Sequence, residues 1–314
     1  MLHLVDKFYK GGSLMIIEKV KPYLEYCQYR KELDAKTLKA YRIDLRQYFE
    51  YFGAEDPIKE RIEDYITELH KMYKQKTIKR KIASIKAFYN YLEEEELIEE
   101  NPFRKIHVKF KEAIVLPRII PRNEIEQLLN YMYANSKREN KQWLRDIAVI
   151  ETFFATGARV YEISNIKAEC IDLSSGLIRF KGKGNKERYI QIGDTQVLEI
   201  LRQYYRENCA MIKESGFFFI NRNGNRFSEQ SIRNMMKKYS RLAGIDRNIT
   251  PHMFRHSFAT YLIEEGVDIS CVQQILGHSS IKTTQIYIHV AAKKQAEILR
   301  SKHPRNKMKI LTAA

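Results

Sequence analysis

Apolar residues between Ile16 and Glu100 recur at intervals of three and four, and no segment of this stretch alternates between apolar and polar positions. Such spacing places the apolar side chains on one face of each helix. One stripe consists of Leu38, Tyr41, Leu45 and Phe49, and another consists of Ile78, Ile82, Ile85, Phe88 and Leu92. The pattern predicts four or five helices that form a small all-α domain.

Helical periodicity also dominates the chain beyond residue 117, with one exception. Residues 177–180 and 188–192 have the composition of strands and flank the turn sequence Gly182-Lys183-Gly184-Asn185. Two strand-like segments around a loop of this kind are typical of a β-hairpin. We therefore predict a mainly α fold, in which an all-α N-terminal domain is followed by an α-rich domain with a small antiparallel β-sheet.

The boundary between the two domains is indicated by Asn101-Pro102, because proline disfavours helix at the residue before it. A length of 314 residues is sufficient for two domains with cores of their own. The predicted organisation is a flexible leader at 1–14, a helical domain at 15–106, an extended linker at 107–118, a second domain at 119–300 and a basic tail at 301–314.

The chain carries a formal net charge of +16 at pH 7. Most of the excess lies in residues 111–314, which contain 33 basic and 20 acidic residues, whereas residues 1–110 contain 22 and 19. Charge of this sign favours a polyanionic partner, and nucleic acid is a better candidate than a bilayer because the sequence has no long apolar span. A basic protein that uses its charge only for solubility is the alternative.

A run of basic residues precedes and opens the helix predicted near Thr77, and residues 71–86 contain no acidic residue. A helix with such a face suits the phosphates that flank a major groove. A solvated helix face is the alternative, which the absence of a compensating carboxylate makes less favourable. The residues for which we predict DNA contact are Lys39, Arg42, Lys76, Thr77, Lys79, Arg80 and Lys81.

Neither a metal site nor a disulfide framework is indicated by the four cysteines, because they form no C-x-x-C pair. Residues 182–187 match neither a dinucleotide fingerprint nor a phosphate loop of the G-x-x-x-x-G-K-[ST] type. The first residues lack the sustained apolar core of a signal peptide. We therefore expect a cytoplasmic protein that works without metal or cofactor.

Six scattered residues carry the candidate chemistry, and they are Arg159, Lys183, His252, Arg255, His278 and Tyr287. A phosphodiester is an anion that gains charge as it is attacked, so its cleavage without a metal requires several positive donors around one nucleophile. His252 and Arg255 lie three residues apart in a helix that begins at Thr250-Pro251. Both side chains therefore lie on one helix face and are predicted to point at the same position.

Several of these residues also have a structural interpretation, since a lone histidine on a helix is more often a packed structural residue, and a single tyrosine among 20 is most often a core or surface aromatic. Arg159 follows a glycine at a predicted turn facing a cleft, but it is equally placed for an ion pair with Glu162. Lys183 lies at a hairpin tip, where a lysine is usually only solvent-exposed. His278 ends one short helix and Tyr287 lies about two turns into the next, a layout that can bring the two side chains together.

Four segments closely resemble the signature boxes of the tyrosine recombinases, especially the compact Xer-type and phage-integrase-like members. These segments are residues 156–163, 182–188, 252–262 and 276–287. The N-terminal helical unit resembles the core-DNA-binding domain of the family, and residues from about 117 resemble its catalytic domain. The departures are slight, since Phe254 replaces a frequent leucine and Ile288 a frequent threonine.

The resemblance implies that Tyr287 attacks the scissile phosphate and leaves a 3′-phosphotyrosyl link and a free 5′-hydroxyl. It implies that Arg159 and Arg255 hold the non-bridging oxygens as their charge grows. Lys183 would protonate the departing 5′-oxygen, and His252 and His278 would assist proton transfer. These are the roles expected of the catalytic residues of a site-specific DNA recombinase.

The resemblance also implies a homo-tetramer on two duplexes, bound at double-stranded core recombination sites. Residues 293–299 could form the C-terminal helix that family members exchange between neighbours, although a frayed basic tail is the alternative. The implied task is chromosome-dimer resolution or the integration and excision of a mobile element. Two other functions stay open at this point, a type IB topoisomerase and a DNA-binding architectural protein.

Overall fold

The computed structural model describes residues 13–53, 57–106, 108, 117–135, 142–181 and 187–277. The chain divides into two compact units, Met1–Ala113 and Ile114–Ala314, and the division falls within the segment 107–118 predicted as a linker. Each unit has a hydrophobic core of its own. None of the described helices combines the length and the apolar character that crossing a membrane requires.

The first unit is all-α throughout its described residues. Its helices are α1 (Ser13–Glu18), α2 (Val20–Tyr29), α3 (Ala35–Phe52), α4 (Lys59–Met72) and α5 (Gln75–Glu94). Helix α3 begins after Asp34, whose carboxylate accepts a hydrogen bond from the backbone N–H of Thr37 at 2.9 Å. Such a cap satisfies one of the backbone donors that a helix N-terminus leaves unpaired. The prediction of an all-α first domain is confirmed.

Aromatic side chains fill the core of this unit. Tyr48 is fully buried, its ring lies 4.5 Å from that of Phe52, and its hydroxyl lies 3.1 Å from the hydroxyl of Tyr89. The apolar stripe of α5 faces the same core, with Ile78 and Phe88 completely inaccessible. Burial of each such side chain stabilises the folded unit by about 1.5–3 kcal/mol. Because this burial favours one face of each helix, the apolar periodicity was sufficient to predict the helices of this unit.

Asp44 of α3 is a fully buried carboxylate. It accepts hydrogen bonds from three residues of α5, namely Arg80, Lys81 at 3.2 Å and Ser84 at 3.1 Å. The expectation that the basic run at 71–86 lacks a compensating carboxylate is therefore wrong. The carboxylate of Asp44, which is distant in sequence, forms ion pairs with Arg80 and Lys81 of this run. The prediction of DNA contact is corrected for Lys81, since its side chain is 2% exposed and its ammonium lies 4.9 Å from the ring centre of Tyr73.

The second unit is α-rich and contains the small sheet. Its described helices are α6 (Arg122–Ala134), α7 (Trp143–Thr156), α8 (Val160–Asn165), α9 (Thr195–Ser215), α10 (Glu229–Leu242), α11 (Pro251–Glu264) and α12 (Ile269–Leu276). Its strands are β1 (Ile171–Asp172), β2 (Leu177–Lys181) and β3 (Glu187–Gln191), which pair antiparallel in the order β1-β2-β3. The predicted antiparallel hairpin is confirmed, with Ile178 opposite Ile190 and Lys181 opposite Glu187, while the loop 182–186 lies outside the described residues.

Helix α7 lies at the centre of the second unit. Four consecutive residues, Ile147 to Ile150, are completely inaccessible, so the helix is covered on all sides. It packs against α6, α9 and α11. Because α7 is held so firmly, the turn that follows it at Gly157 has a fixed position, and the candidate site is built around this turn.

We predict that Asp44→Ala destabilises the first unit by about 3–5 kcal/mol, because it leaves the buried ammonium of Lys81 without its carboxylate. The expected result is lower hydrogen-exchange protection of α3 and α5, while the amides of α7 are unchanged. Asp64→Ala, at an exposed position on α4, is the matched control. Adding Lys81→Met to Asp44→Ala should restore part of the protection, since no unpaired charge is then buried. Equal protection in Asp44→Ala and the control would show that the buried pair does not hold the two helices together.

Candidate active site

The N-terminal half of α11 carries two of the predicted catalytic residues. Thr250 caps the helix, with its hydroxyl accepting from the backbone N–H of Met253, and Pro251 occupies the first helical position. The His252 residue is exposed, whereas Arg255 is only 5% exposed. The helix therefore presents the imidazole at the surface and holds the guanidinium beneath it.

The Arg255 guanidinium connects two other segments of the unit. Its Nη1 donates to the carbonyl of Gly157 at 2.8 Å, and its Nη2 donates to the carbonyl of Leu276 at 2.6 Å. One carbonyl belongs to the turn after α7 and the other to the last turn of α12. Because a guanidinium donates in a rigid plane, these two bonds fix both its position and its orientation.

Gly157 is required at the turn between α7 and α8. It has a φ of +59°, which favours glycine, and a Cβ at this position would lie 2.5 Å from the ring of Phe258. The turn directs its carbonyl at Arg255 and brings the chain to Arg159, which is the N-cap residue of α8. The pair Gly157 and Arg159 therefore places a second guanidinium beside the first.

Glu162 orients Arg159. This carboxylate is buried and accepts from the Arg159 backbone N–H at 2.6 Å and from Arg159 Nη1 at 2.9 Å. It also accepts two bonds from Arg188, at 2.5 and 2.7 Å. The structural interpretation of Arg159 as a partner of Glu162 is thus present in the molecule. It does not bury Arg159, because the Arg159 side chain remains 38% exposed and its Nη2 lies 3.5 Å from the carbonyl of Gly277.

The positive charges around this site change the pKa of His252. Partial burial lowers the pKa of the imidazole below its ordinary value, and the charges of Arg233, Arg255 and Arg159 lower it further. His252 is therefore mainly neutral at neutral pH, and it lies in the field of three guanidinium groups. An anion bound here would be attracted by those groups and would make protonation of His252 easier.

Arg233 was not predicted from the sequence. It lies on α10, forms an ion pair with Glu229 at 2.8 Å and is close enough to His252 to lower its pKa. The exposed basic residues of α10 are Arg233, Lys237, Lys238 and Arg241, whereas its opposite face is buried. The sequence signal that could have identified this basic face is the spacing of Arg233, Lys237 and Arg241, which lie four residues apart on an amphipathic helix. The proximity of Arg233 to His252 is visible only in the tertiary structure.

Of the six residues predicted to be catalytic, Arg159, His252 and Arg255 converge within the described part of the chain. Lys183, His278 and Tyr287 lie outside the described residues. The segment that leads to His278 reaches the site, since the carbonyls of Leu276 and Gly277 face Arg255 and Arg159. Among the described residues, no three His, Cys, Asp or Glu side chains are grouped in a way that could hold a metal ion.

The residues predicted to contact DNA lie on two helices that pack against each other, α3 and α5. Lys39 and Arg42 are exposed on α3, and Thr77 is partly exposed on α5. The exposed basic residues of α5 among the predicted set are Lys76, Lys79 and Arg80. With Lys81 withdrawn, the predicted surface consists of five exposed cations and one hydroxyl.

A groove of about 670 Å³ lies on the second unit, between α6, α7, α11 and the start of α9. Its floor is apolar and includes Leu129, Phe154, Phe258 and Leu262. The charged residues around this floor are mostly acidic, namely Glu126, Glu151, Asp194 and Glu265, and Glu265 forms an ion pair at 2.7 Å with Arg122, which also lines the groove. Burial raises the pKa of Glu151, which accepts a hydrogen bond from Tyr133 at 2.7 Å. The groove thus combines an apolar floor with negative charge on an otherwise basic unit.

Comparison with known proteins identifies one family. Residues 118–294 match the model of the phage integrase family, and residues 20–96 match the model of the phage integrase N-terminal SAM-like domain. A tyrosine recombinase of Agathobacter rectalis is 47% identical over 91% of this chain and 96% of its own length. The XerC tyrosine recombinase of Thermodesulfovibrio yellowstonii is 34% identical over 91% of this chain and 96% of its own length.

Among solved structures, the XerH site-specific recombinase bound to a palindromic difH substrate is similar over 90% of this chain and 84% of that one. Its TM-score is 0.73 at 21% identity, which bears on the fold alone. The family assignment rests instead on the family model, which covers more than half of the chain, and on the relatives of higher identity. This chain belongs to the phage integrase family and is a tyrosine-type site-specific recombinase.

Proposed function

We propose that Tyr287 attacks the scissile phosphate of a DNA core site and forms a 3′-phosphotyrosyl intermediate with release of a 5′-hydroxyl. The observation that carries this proposal is that Arg159 and Arg255 both contact the backbone that leads into His278, with His252 close to both guanidinium groups. Since the phosphodiester is exchanged for another phosphate ester, rejoining requires no external energy source. Attack by the 5′-hydroxyl of a second strand on the phosphotyrosyl link would complete the exchange.

Arg159 and Arg255 are proposed to hold the two non-bridging oxygens. Planar donors suit this role because they form bidentate, charge-assisted hydrogen bonds to phosphate. In other phosphoryl-transfer enzymes an arginine of this kind is worth about 10³–10⁵ in rate. Arg159 is the more accessible of the two, so it makes the outer contact, and Arg255 supports the phosphate from below.

Proton transfers are assigned to the remaining residues. Lys183 would protonate the departing 5′-oxygen, and His252 and His278 would exchange protons with the nucleophile and hydrogen-bond the phosphoryl group. A neutral His252 suits this task because its unprotonated nitrogen can accept the proton of the nucleophile, and a bound phosphate would offset the cations that lower its pKa. A free tyrosine has a pKa of about 10, so Tyr287 also depends on the surrounding cations for its ionisation.

The substrate is proposed to be double-stranded DNA that both units contact. The exposed cations of α3 and α5 would contact phosphates from the first unit, and those of α10 would do so from the second.

Solved structures of similar fold include a lambda integrase dimer bound to a core site and XerH bound to its difH substrate. The related proteins are tyrosine recombinases, which favours strand exchange over the topoisomerase and architectural alternatives. Chromosome-dimer resolution and mobile-element integration or excision are both tasks of this kind, and the cytoplasm is the proposed location.

Recombination of two duplexes requires four cleavages, and we place a homo-tetramer on them. The C-terminal segment of one protomer is proposed to occupy the groove between α6, α7 and α11 of its neighbour. Residues 288–314 contain seven basic residues and one acidic residue, which complements the acidic side chains around the groove, although Glu265 is already paired with Arg122. Ile298 and Leu299 would enter the apolar floor.

We predict that Tyr287→Phe forms no covalent protein–DNA adduct on a nicked suicide substrate, because the nucleophilic hydroxyl is absent. The unaltered chain should form the adduct with divalent cations chelated, and both proteins should bind the duplex equally in a gel-shift assay. Tyr29→Phe, at an exposed position on α2, is the control and should react normally. An adduct formed by Tyr287→Phe, or a strict magnesium requirement in the unaltered chain, would refute the proposed mechanism.

We predict that the double variant Lys39→Ala, Lys76→Ala weakens DNA binding by a similar factor at all sequences. Loss of two phosphate contacts should reduce the slope of log K against log salt by about 1.8, at about 0.9 per contact. Fluorescence anisotropy between low and physiological salt measures this slope. Lys59→Ala, at an exposed position on α4, is the matched control. An unchanged slope in the double variant would exclude these helices from the DNA interface.

We predict that Leu129→Glu in the groove prevents assembly of two duplexes while binding of a single duplex is retained. The added carboxylate would be buried in the apolar floor and would oppose entry of the apolar side chains at 298 and 299. Deletion of residues 293–314 should have the same effect, and Asn123→Glu, exposed on α6 outside the groove, should not. Native gels with differently labelled duplexes report the assembly. Normal pairing of duplexes by Leu129→Glu would place the C-terminal segment elsewhere.

A further inference from the structure

Arg188 is a buried cation for which the proposed mechanism has no role. It lies in β3 directly opposite Phe180 of β2, and its guanidinium lies 4.9 Å from the ring centre of that residue. Its side chain is only 10% exposed, and its Nε is buried without a hydrogen-bond partner among the described residues. Burial of a guanidinium is costly, so this position must be maintained by strong contacts elsewhere.

Those contacts are made to Glu162. Arg188 Nη1 donates to Oε1 at 2.5 Å and Nη2 donates to Oε2 at 2.7 Å, which is the bidentate geometry of the strongest ion pairs. The same two oxygens accept from Arg159, Oε1 from the guanidinium and Oε2 from the backbone N–H. One carboxylate therefore joins two guanidinium groups, and its plane is set by the more deeply buried of them.

A third contact links Arg188 to the end of α12. A Cβ on Gly277 would lie 3.1 Å from the Cδ of Arg188, so the arginine side chain packs closely against this glycine. The carbonyl of Gly277 in turn faces Arg159 Nη2. Arg188 thus touches both neighbours of the Arg159 side chain, the carboxylate on one side and the α12 terminus on the other.

Direct binding of phosphate by Arg188 does not fit this arrangement. Both Nη atoms donate to the Glu162 carboxylate, which offsets the charge of Arg188, whereas the Nη atoms of Arg255 donate to the neutral carbonyls of Gly157 and Leu276. A purely structural ion pair accounts for its burial, but not for its sharing of the carboxylate with Arg159. We propose that Arg188 is a positioning residue that, through Glu162, sets the orientation of the Arg159 guanidinium toward the scissile phosphate.

The ionisation of Glu162 supplies a signature for this role. Burial raises the pKa of Glu162, but the hydrogen bonds and charge of Arg188, followed by the contacts of Arg159, outweigh burial and lower it below the ordinary value. Removal of Arg188 therefore raises that pKa. The carboxyl then becomes protonated at a higher pH than in the unaltered chain, and its hold on Arg159 is lost there.

The test is single-turnover cleavage of a suicide substrate at saturating protein, with DNA affinity measured separately. Arg188→Met should cleave about 10²-fold more slowly, since a misplacement of about 1 Å is worth that factor, while its affinity for DNA is unchanged. The acidic limb of its pH–rate profile should move to higher pH. Arg188→Lys, which retains the charge but not the bidentate fork, should fall between Arg188→Met and the unaltered chain.

Arg179→Met is the matched control, because Arg179 lies in the same hairpin and forms a more exposed ion pair with Glu187 at 3.3 Å. It should change the rate by less than about fivefold. Glu162→Gln should slow cleavage as Arg188→Met does, and the double variant should be no slower than the slower single variant, because both act through one path. If Arg188→Met does not fold, the same comparison of rate, affinity and pH profile is made with Arg188→Lys and Glu162→Gln.

The inference would be overturned if the Arg188 variants cleaved at the rate of the unaltered chain. It would also be overturned if the rate losses of Arg188→Met and Glu162→Gln multiplied in the double variant, or if the acidic limb of the pH–rate profile did not move. A loss of DNA affinity equal to the loss in rate would also overturn it, since this outcome indicates direct phosphate contact. The inference rests on the role proposed for Arg159. If the unaltered chain forms no adduct dependent on Tyr287, the proposed function itself has failed, and this outcome is distinct from normal behaviour of the Arg188 variants.

Discussion

Compensation of like charges is the constraint on which the second unit depends. Arg159, Arg188, Arg233 and Arg255 lie around one small region, and guanidinium groups without counter-charges would repel each other there. The buried carboxylate of Glu162 offsets two of them, and the carbonyls of Gly157 and Leu276 hold Arg255. The Arg159 side chain remains 38% exposed and can therefore meet an anion. Preorganised donors of this kind stabilise developing charge without the cost of reorienting during the reaction.

The first unit uses the same arrangement for a different purpose. Asp44 is buried beneath the basic face of α5 and takes the charge of Lys81 and part of that of Arg80. The carboxylate links α3 to α5, and these helices carry the cations that we propose to contact DNA. In both units a buried acid fixes the geometry of a basic surface. The difference is depth, because Lys81 is fully enclosed whereas Arg159 remains accessible.

Charge is also distributed unevenly over the surface of the second unit. The exposed face of α10 is basic and continues toward His252, whereas the groove between α6, α7 and α11 is edged with carboxylates. A basic face suits the DNA backbone, and an acidic groove with an apolar floor suits a basic segment with apolar anchors. The two surfaces therefore favour different partners, and electrostatic repulsion would discourage DNA from entering the groove.

The sequence by itself determined the class of fold, because apolar spacing reports helix faces directly and strand-like segments around 182–185 report a hairpin. It also supplied Arg159, His252 and Arg255, since motif spacing and a shared helix face are local properties. Only the tertiary structure decided which charges are compensated. Asp44 lies 37 residues from Lys81 and Glu162 lies 26 residues from Arg188, so neither pair is visible as a local pattern. Burial and pairing depend on which helices and strands pack together, and that is why Lys81 was misassigned and why Arg188 and Arg233 emerged only from the fold.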